Sequence, residues 1–277
     1  EGAPPALREA LRGVHERERH EIAARFPAIH RRVSGYNLDA LGGERPNLAR
    51  LLVGSEGTLA VFRRIELALR PLPRHRVLGV CHFPTFRRAM ESARAIVALR
   101  PAAVELVDRT MIALGREIPA FRHAVDRFVR GAPEALLLVE FSGDSQEPER
   151  ARLRELVELM ADLGLPGSVV EVVEPAAQAE IWEVRKAGLN IMMSMKGDAK
   201  PVSFIEDCAV PLEHLPEYTE RLTALFARHG TTGTWYAHAS EGCLHVRPVL
   251  NLKEELDVRK MRAIAEEAFA LVRAYKG

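Results

Sequence analysis

The chain is poor in cysteine, with three in 277 residues: Cys81, Cys208 and Cys243. Their number is odd, their spacings are wide and no CxxC occurs, which excludes a disulfide framework and a cysteine-based zinc site. A surplus of either charge is also missing. Lys and Arg total 39, Asp and Glu total 38, and the net charge is +1. So even a balance leaves no electrostatic footprint for nucleic acid or an anionic membrane. Arginine is frequent in the helical stretches, but interleaved with glutamate as on solvated helix faces. No uninterrupted apolar run is long enough to cross a bilayer, and no signal peptide is expected. A reducing, cytoplasmic compartment is expected, with peripheral membrane attachment left open. An initiating methionine is absent too. The opening Glu1-Gly2-Ala3-Pro4-Pro5 leads us to expect a processed product or a piece of a longer protein.

What is present is a globular composition. Hydrophobic residues make up 47%, enough for one large core or two smaller ones. Residues 4–30 carry strong helix formers with an apolar residue every three or four positions, interrupted at Pro27. Residues 34–46 are turn-rich, and the following segment begins as a helix and ends in "AVFRRIELAL", which alternates like a strand. Pro71 and Pro73 mark a boundary, giving expected domains 1–73 and 74–277.

Beyond the boundary, strands are expected at 76–83, 102–108, 134–143, 167–174 and 201–211, then in "TGTWYAHA" and "GCLHVRPVL". Helices are expected at 85–99, 147–164, 176–195 and 212–230, with a last one after residue 251. The recurring strand, helix, strand order predicts an α+β fold of ferredoxin-like type, a mixed, largely antiparallel sheet covered by helices.

Four stretches can carry chemistry. In "VGSEGTLAVF", Gly54 and Gly57 flank Ser55-Glu56, with Thr58 following. Such a loop either brings backbone N–H groups close to a phosphate or flat ring, or is a tight turn before a strand. In "IWEVRKAG", Arg185 follows Trp182 by one helical turn and shares its face. An arginine beside an aromatic suits a two-pronged grip on a carboxylate, or packs at the surface. "KGDAKPVSFIEDCAVP" places Lys196 and Lys200 before a strand bearing Glu206 and Asp207, whose side chains should point to opposite faces.

The last stretch is "YAHASEGCLH". His238 and His245 are seven apart, which on one continuous strand sends them to opposite faces. A turn at Ser240-Glu241-Gly242 changes this. The two strands pair and the histidines lie across from each other at the start of the hairpin. Two adjacent imidazoles either hold a metal or pack as hydrogen-bonded strand residues. A metal needs a third ligand, from Glu206 or from a residue outside the chain.

Together these motifs carry a resemblance. "SGYNLD…NLARLLVGSEGTLAVF" resembles the end of a FAD-binding domain of vanillyl-alcohol-oxidase type, and "YAHASEGCLH" resembles the H-x-G-D-G-N-L-H signature of the FAD-linked oxidase C-terminal domain. "IWEVRKAG" and "FIEDCAVP" fall between them in the expected order, so the resemblance spans residues 33–277. The family includes D-lactate, glycolate and D-2-hydroxyglutarate dehydrogenases. "MKGDAKPVSFIEDCAVP" and "GCLHVRP" look most like bacterial forms fused to an iron–sulfur region.

The resemblance implies FAD, bound in part by Gly54, Ser55, Glu56, Gly57 and Thr58. It implies oxidation of a D-2-hydroxy acid to the 2-oxo acid, with Arg185 on the substrate carboxylate and Lys200 as a second anion contact. His238 and His245 would hold a divalent metal, zinc first, that polarises the substrate hydroxyl. The electron acceptor would be reached through other regions or a partner. The sequence departs from the pattern at Ser240-Glu241, where relatives have Gly-Asp, and at Cys243, where they have Asn. The family's main phosphate-binding loop, its S-G-E-H-G segment and iron–sulfur cysteine spacing are not found. The expectation is therefore a part of such a flavoenzyme, inactive and without stable FAD on its own. A non-catalytic α+β binding module with a structural histidine pair is the alternative, and a zinc hydrolase ranks last because no third protein ligand has suitable spacing.

Overall fold

The computed structural model describes residues 3–30, 32, 35–43 and 46–277. Glu1-Gly2 of the opening, and Ser34, Glu44 and Arg45 of the turn-rich stretch, lie outside the described residues. The chain divides into two compact units at Pro71/Leu72, two residues before the boundary expected from the prolines.

In the first unit, helix α1 (Pro5–Arg25) starts with proline at its first turn and ends at Phe26, before Pro27, as proline chemistry dictates. A 3₁₀ turn (Leu38–Leu41) and helix α2 (Leu48–Leu52) follow. Asn47 caps α2 by accepting from the Arg50 N–H at 3.0 Å. The buried Asn37 amide donates to the Arg50 and Val53 carbonyls at 2.9 and 3.0 Å, fixing the entry to the Gly54–Thr58 loop.

The strand expected in "AVFRRIELAL" does not form. Among the described residues no strand pairs with it, and Val61 and Leu69 are 98% and 90% exposed. The alternation is real, but alternation makes a strand only where a neighbour completes the hydrogen-bond ladder and covers one face.

The second unit is built on one sheet. Its elements run β1 (His75–Phe83), α3 (Phe86–Ala98), β2 (Ala103–Asp108), α4 (Arg109–Glu117), α5 (Pro119–Phe128), β3 (Ala135–Gly143), α6 (Gln146–Asp162) and β4 (Val169–Val172). The first four strands lie in the order β4-β1-β3-β2 with every pairing antiparallel. Helices α3 and α6 make the crossovers, so this half has the ferredoxin-like arrangement that the element order predicts. Next come α7 (Pro175–Lys186), α8 (Gly188–Met193), β5 (Lys200–Pro201), β6 (Cys208–Ala209), α9 (Leu215–Arg228), β7 (Gly233–His238), β8 (Cys243–Leu250) and α10 (Glu255–Ala274). The β7-β8 hairpin joins the sheet beside β2.

Three local expectations need correction. Residues 109–128, unassigned from pattern, form α4 and α5, divided at Ile118-Pro119. The single helix expected at 176–195 is two, interrupted around Ala187-Gly188. The strand expected at 201–211 survives only as β5 and β6, which pair with opposite ends of β8 while residues between them loop out. Val202 N–H donates to Pro248 O at 2.9 Å and Asp207 N–H to Leu244 O at 3.1 Å, so both ends of the loop are pinned.

The two sheet faces are used differently. One carries the larger core, in which Phe83, Leu106, Phe141, Trp235 and Val246 pack against α3, α6, α9 and α10. On α9, Leu215, Tyr218, Leu222, Leu225 and Phe226 recur at helical spacing and are fully buried. Burial of each such side chain contributes roughly 1.5–3 kcal/mol. On the other face Leu78, Val80, Val107, Leu136 and Leu138 are covered by α4, α5, α7 and α8. Beyond β2 the same face turns polar.

His82 links three parts of the second unit. Its Nδ1–H donates to Ser168 O at 2.9 Å and its Nε2 accepts from the Arg130 N–H at 3.0 Å. Burial depresses its proton affinity below the usual 6.5. A depressed folded value means the stabilisation is complete above about 6.5 and is lost as pH falls through the folded value. The urea midpoint should therefore decline below pH 6.5 more steeply in the wild-type chain than in His82→Gln. Parallel profiles would refute this.

Candidate functional site

The polar end of the second face is assembled by the β7-β8 hairpin. A 3₁₀ turn at Ala239–Glu241 leads into Gly242, whose φ is +66°. A Cβ there would collide with the Val210 carbonyl oxygen, so glycine is required twice over. The register sets Tyr236 opposite His245 and His238 opposite Cys243. His238 and His245 therefore share a face, as expected. They are diagonal neighbours rather than directly opposed, because the turn at residues 239–242 closes with His238 against Cys243 and is too short to bring His245 opposite His238.

The two rings lie 5.0 Å apart between centroids, edge to face at 81°. Tyr236 stacks on His245 at 4.7 Å. Each histidine is held by a carboxylate: His238 Nδ1 by Glu105 Oε1 at 2.8 Å, and His245 Nδ1 by Asp207 Oδ1 at 2.9 Å. A carboxylate only accepts, so the hydrogen bond to Glu105 draws the proton of a neutral His238 ring to Nδ1 and leaves the lone pair on Nε2, whereas Asp207 acts on His245 by charge. Burial lowers the proton affinity of His245, with Asp207 opposing and His238 reinforcing the shift. Burial also raises that of the Tyr236 hydroxyl.

Arg185 reaches the same place from α7. Its Nη2 donates to Glu105 Oε2 at 2.6 Å, and the two side chains are 11% and 12% exposed. Its Cζ lies 4.8 Å from the Tyr236 ring centroid. Its buried Nε–H has no hydrogen-bond partner. Trp182 shares the helix face as expected but binds elsewhere, donating from Nε1 to Glu140 Oε2 at 3.0 Å. The aromatic neighbour of Arg185 is thus Tyr236, on a strand 51 residues later in the sequence.

The loop between β5 and β6 supplies the remaining charges. Asp207 has φ +61°, a left-handed conformation that Asp tolerates better than most residues. The strand rule that would separate Glu206 from Asp207 does not apply there, and both face the site. Glu206 pairs with the buried Arg247 and with Ser203, while Asp207 pairs with His245. Arg247 also donates to the Tyr236 hydroxyl at 3.3 Å. Glu206, the third metal ligand suggested by sequence, is taken up by Arg247. Among the described residues no group of three or more His, Cys, Asp or Glu side chains is arranged to hold a metal ion.

Lys200 donates from Nζ to the Met195 carbonyl. In the first unit, Gly54, Glu56 and Gly57 of the Gly54–Thr58 loop all have positive φ. Thr58 closes that loop through Ser55 O at 2.6 Å and contacts Tyr36 Oη at 2.8 Å. Ser55 is 2% exposed and its Oγ has no hydrogen-bond partner.

Sequence reasoning missed Glu105, Tyr236 and Arg247. Counting in twos from each histidine along its own strand reaches Tyr236 and Arg247. Glu105 carried one weak signal, an acid flanked by apolar residues in "AVELV".

Residues 72–277 match the family model described as "FAD linked oxidases, C-terminal domain". A D-2-hydroxyglutarate dehydrogenase of Escherichia coli is 33% identical over 273 residues, covering 94% of this chain and 27% of that protein. One of Pseudomonas putida is 29% identical over 274 residues, covering 96% of this chain and 27% of that protein. The chain thus spans about a quarter of the length of these relatives (27%). Among solved structures, an alkyldihydroxyacetonephosphate synthase aligns with a TM-score of 0.55 at 14% identity, over 83% of this chain and 47% of that one, a likeness of fold. The β7-β8 hairpin, with its paired histidines facing Arg185, therefore lies in a chain that belongs to the FAD-linked oxidase C-terminal domain family.

Proposed function

We propose that the protein serves in a flavin-dependent dehydrogenase that oxidises a D-2-hydroxy acid to the 2-oxo acid, with residues 72–277 forming the substrate face. The observation that carries this reading is the pair of histidines on one face, each Nδ1 held by a carboxylate, beside a buried guanidinium. Arg185 binds the substrate carboxylate, and its unpartnered Nε–H is a donor such a ligand can complete. The histidine Nε2 atoms meet the C2 hydroxyl. FAD, when bound, would supply the acceptor for the C2 hydride. Residues 1–71 are read as the end of the FAD-binding domain. The Gly54–Thr58 loop fits a role in holding FAD, because its buried Ser55 Oγ lacks a partner.

A divalent metal fits the histidines in part. Carboxylates on Nδ1 are the usual outer partners of metal-bound imidazoles, and Nε2 is the ligating nitrogen they leave. His238 and His245 would be two ligands of a zinc site completed by groups outside the described residues, and Lys200 a second anion contact. The alternative, a binding module with a structural histidine pair, is favoured by the carboxylate partner that each ring already has.

The chain alone is expected to hold no stable flavin; anaerobic addition of a D-2-hydroxy acid to the flavin-loaded enzyme of which it is read as a part is expected to bleach the flavin, while the L isomer does not. His245→Asn should slow the bleaching by roughly 10²–10⁴-fold at unchanged flavin content. Bleaching that is equally fast in the variant would leave the structural reading standing.

A further inference from the structure

We propose that Glu105 is a positioning residue shared by the anion-binding and histidine halves of the site, orienting both with one carboxylate. The inference rests on the reading that Arg185 and His238 are working groups. Glu105 lies directly across from His238 in the β2-β7 register. Its oxygens are divided between two partners, Oε2 taking Arg185 at 2.6 Å and Oε1 taking His238 at 2.8 Å. Those partners lie 80 and 133 residues away in sequence, so no local structure demands the contact. Its immediate strand neighbours Val104 and Leu106 are fully buried, and Glu105 itself is 12% exposed. A carboxylate in such a place persists only if both oxygens are satisfied.

The chemistry follows from what a carboxylate can do. It accepts and never donates when ionised, so it selects the Nδ1–H tautomer of His238 and leaves the Nε2 lone pair for a ligand. It also neutralises Arg185 while engaging one of five guanidinium donors, leaving the others for an incoming carboxylate. Both partners are set by the orientation of one planar group. His245 lies beside Asp207 and not Glu105, and serves as an internal control.

Glu105→Gln separates the two duties. An amide has one acceptor oxygen, and the charged Arg185 takes it. The NH₂ group then faces His238 Nδ1, which must become the acceptor, so the ring switches to Nε2–H. Long-range ¹H–¹⁵N spectra of the metal-free chain at pH 8 read this directly. We expect His238 as Nδ1–H in the wild type, and in Glu105→Gln a His238 converted to Nε2–H beside an unchanged His245. His238 found as Nε2–H in the wild type, or still Nδ1–H in the variant, overturns the proposal. The wild-type arm decides even if the variant does not fold. In the flavin-loaded protein the variant should raise KM and lower kcat together, each about tenfold or more. Absence of hydroxy-acid oxidation by the wild type would remove the proposed function and leave the tautomers to decide the role of Glu105.

Discussion

Replacing Arg185 with methionine should lower kcat/KM toward a D-2-hydroxy acid by on the order of 10²–10³-fold in the flavin-loaded protein. Truncating one member of a desolvated, hydrogen-bonded charge pair costs about 2–5 kcal/mol, and each 1.4 kcal/mol is tenfold. Two losses combine here. On the proposed reading the substrate carboxylate loses its counter-charge, and Glu105, 12% exposed, is left with an unpaired oxygen. A carboxylate contact made in both ground and transition states appears mainly in KM. Arg185→Lys retains charge but not the planar fork, and Tyr236 loses the flat cation 4.8 Å from its ring centroid, so most of the deficit should remain. Steady-state kinetics with flavin content matched between variants check this. A methionine variant within threefold of wild type would remove Arg185 from substrate binding.

The second large effect is conformational. Gly242→Ala is expected to destabilise the second unit by about 2–5 kcal/mol. The left-handed backbone contributes about 1–2 kcal/mol, and the contact with the Val210 carbonyl oxygen adds about 1–3 kcal/mol as the hairpin shifts. The loss of unfolding temperature is on the order of 10 °C. Gly230 is the control. It has the same φ of +66° with open space where a Cβ would go, so Gly230→Ala should show the conformational part alone. Equal losses in the two variants would mean that the Val210 contact relaxes at no cost. Because Gly242 fixes the register, its variant should also lose the 5.0 Å approach of His238 and His245.

The site was legible where function lies in neighbouring residues of the chain. "HASEGCLH" announces its own turn, and the turn places both histidines on one face. The ferredoxin-like half was legible because its strands are apolar runs and its helices amphipathic. Glu206 and Asp207 were misread because a strand pattern says nothing of a loop pinned only at its ends, nor of an aspartate in a left-handed conformation. Glu105 stayed hidden because its partners are 80 and 133 residues away. Its meaning is a property of the β2-β7 register, which no local spacing encodes. The alternating residues after Thr58 show the converse: a clear pattern, and no partner strand among the described residues to make it a strand.

The parity of the hairpin separates two kinds of tolerance to change. Even-numbered positions before Gly242 (Thr234, Tyr236, His238) and odd-numbered positions after it (Cys243, His245, Arg247) face the site, while Trp235, Ala237, Leu244 and Val246 lie in the main core. Change at the second set alters how much folded protein exists, whereas change at the first set alters the polar face and must respect the carboxylates of Glu105, Glu206 and Asp207 that its side chains meet. The two strands therefore divide their duties by parity, and the division holds only while the phase change at Gly242 is kept.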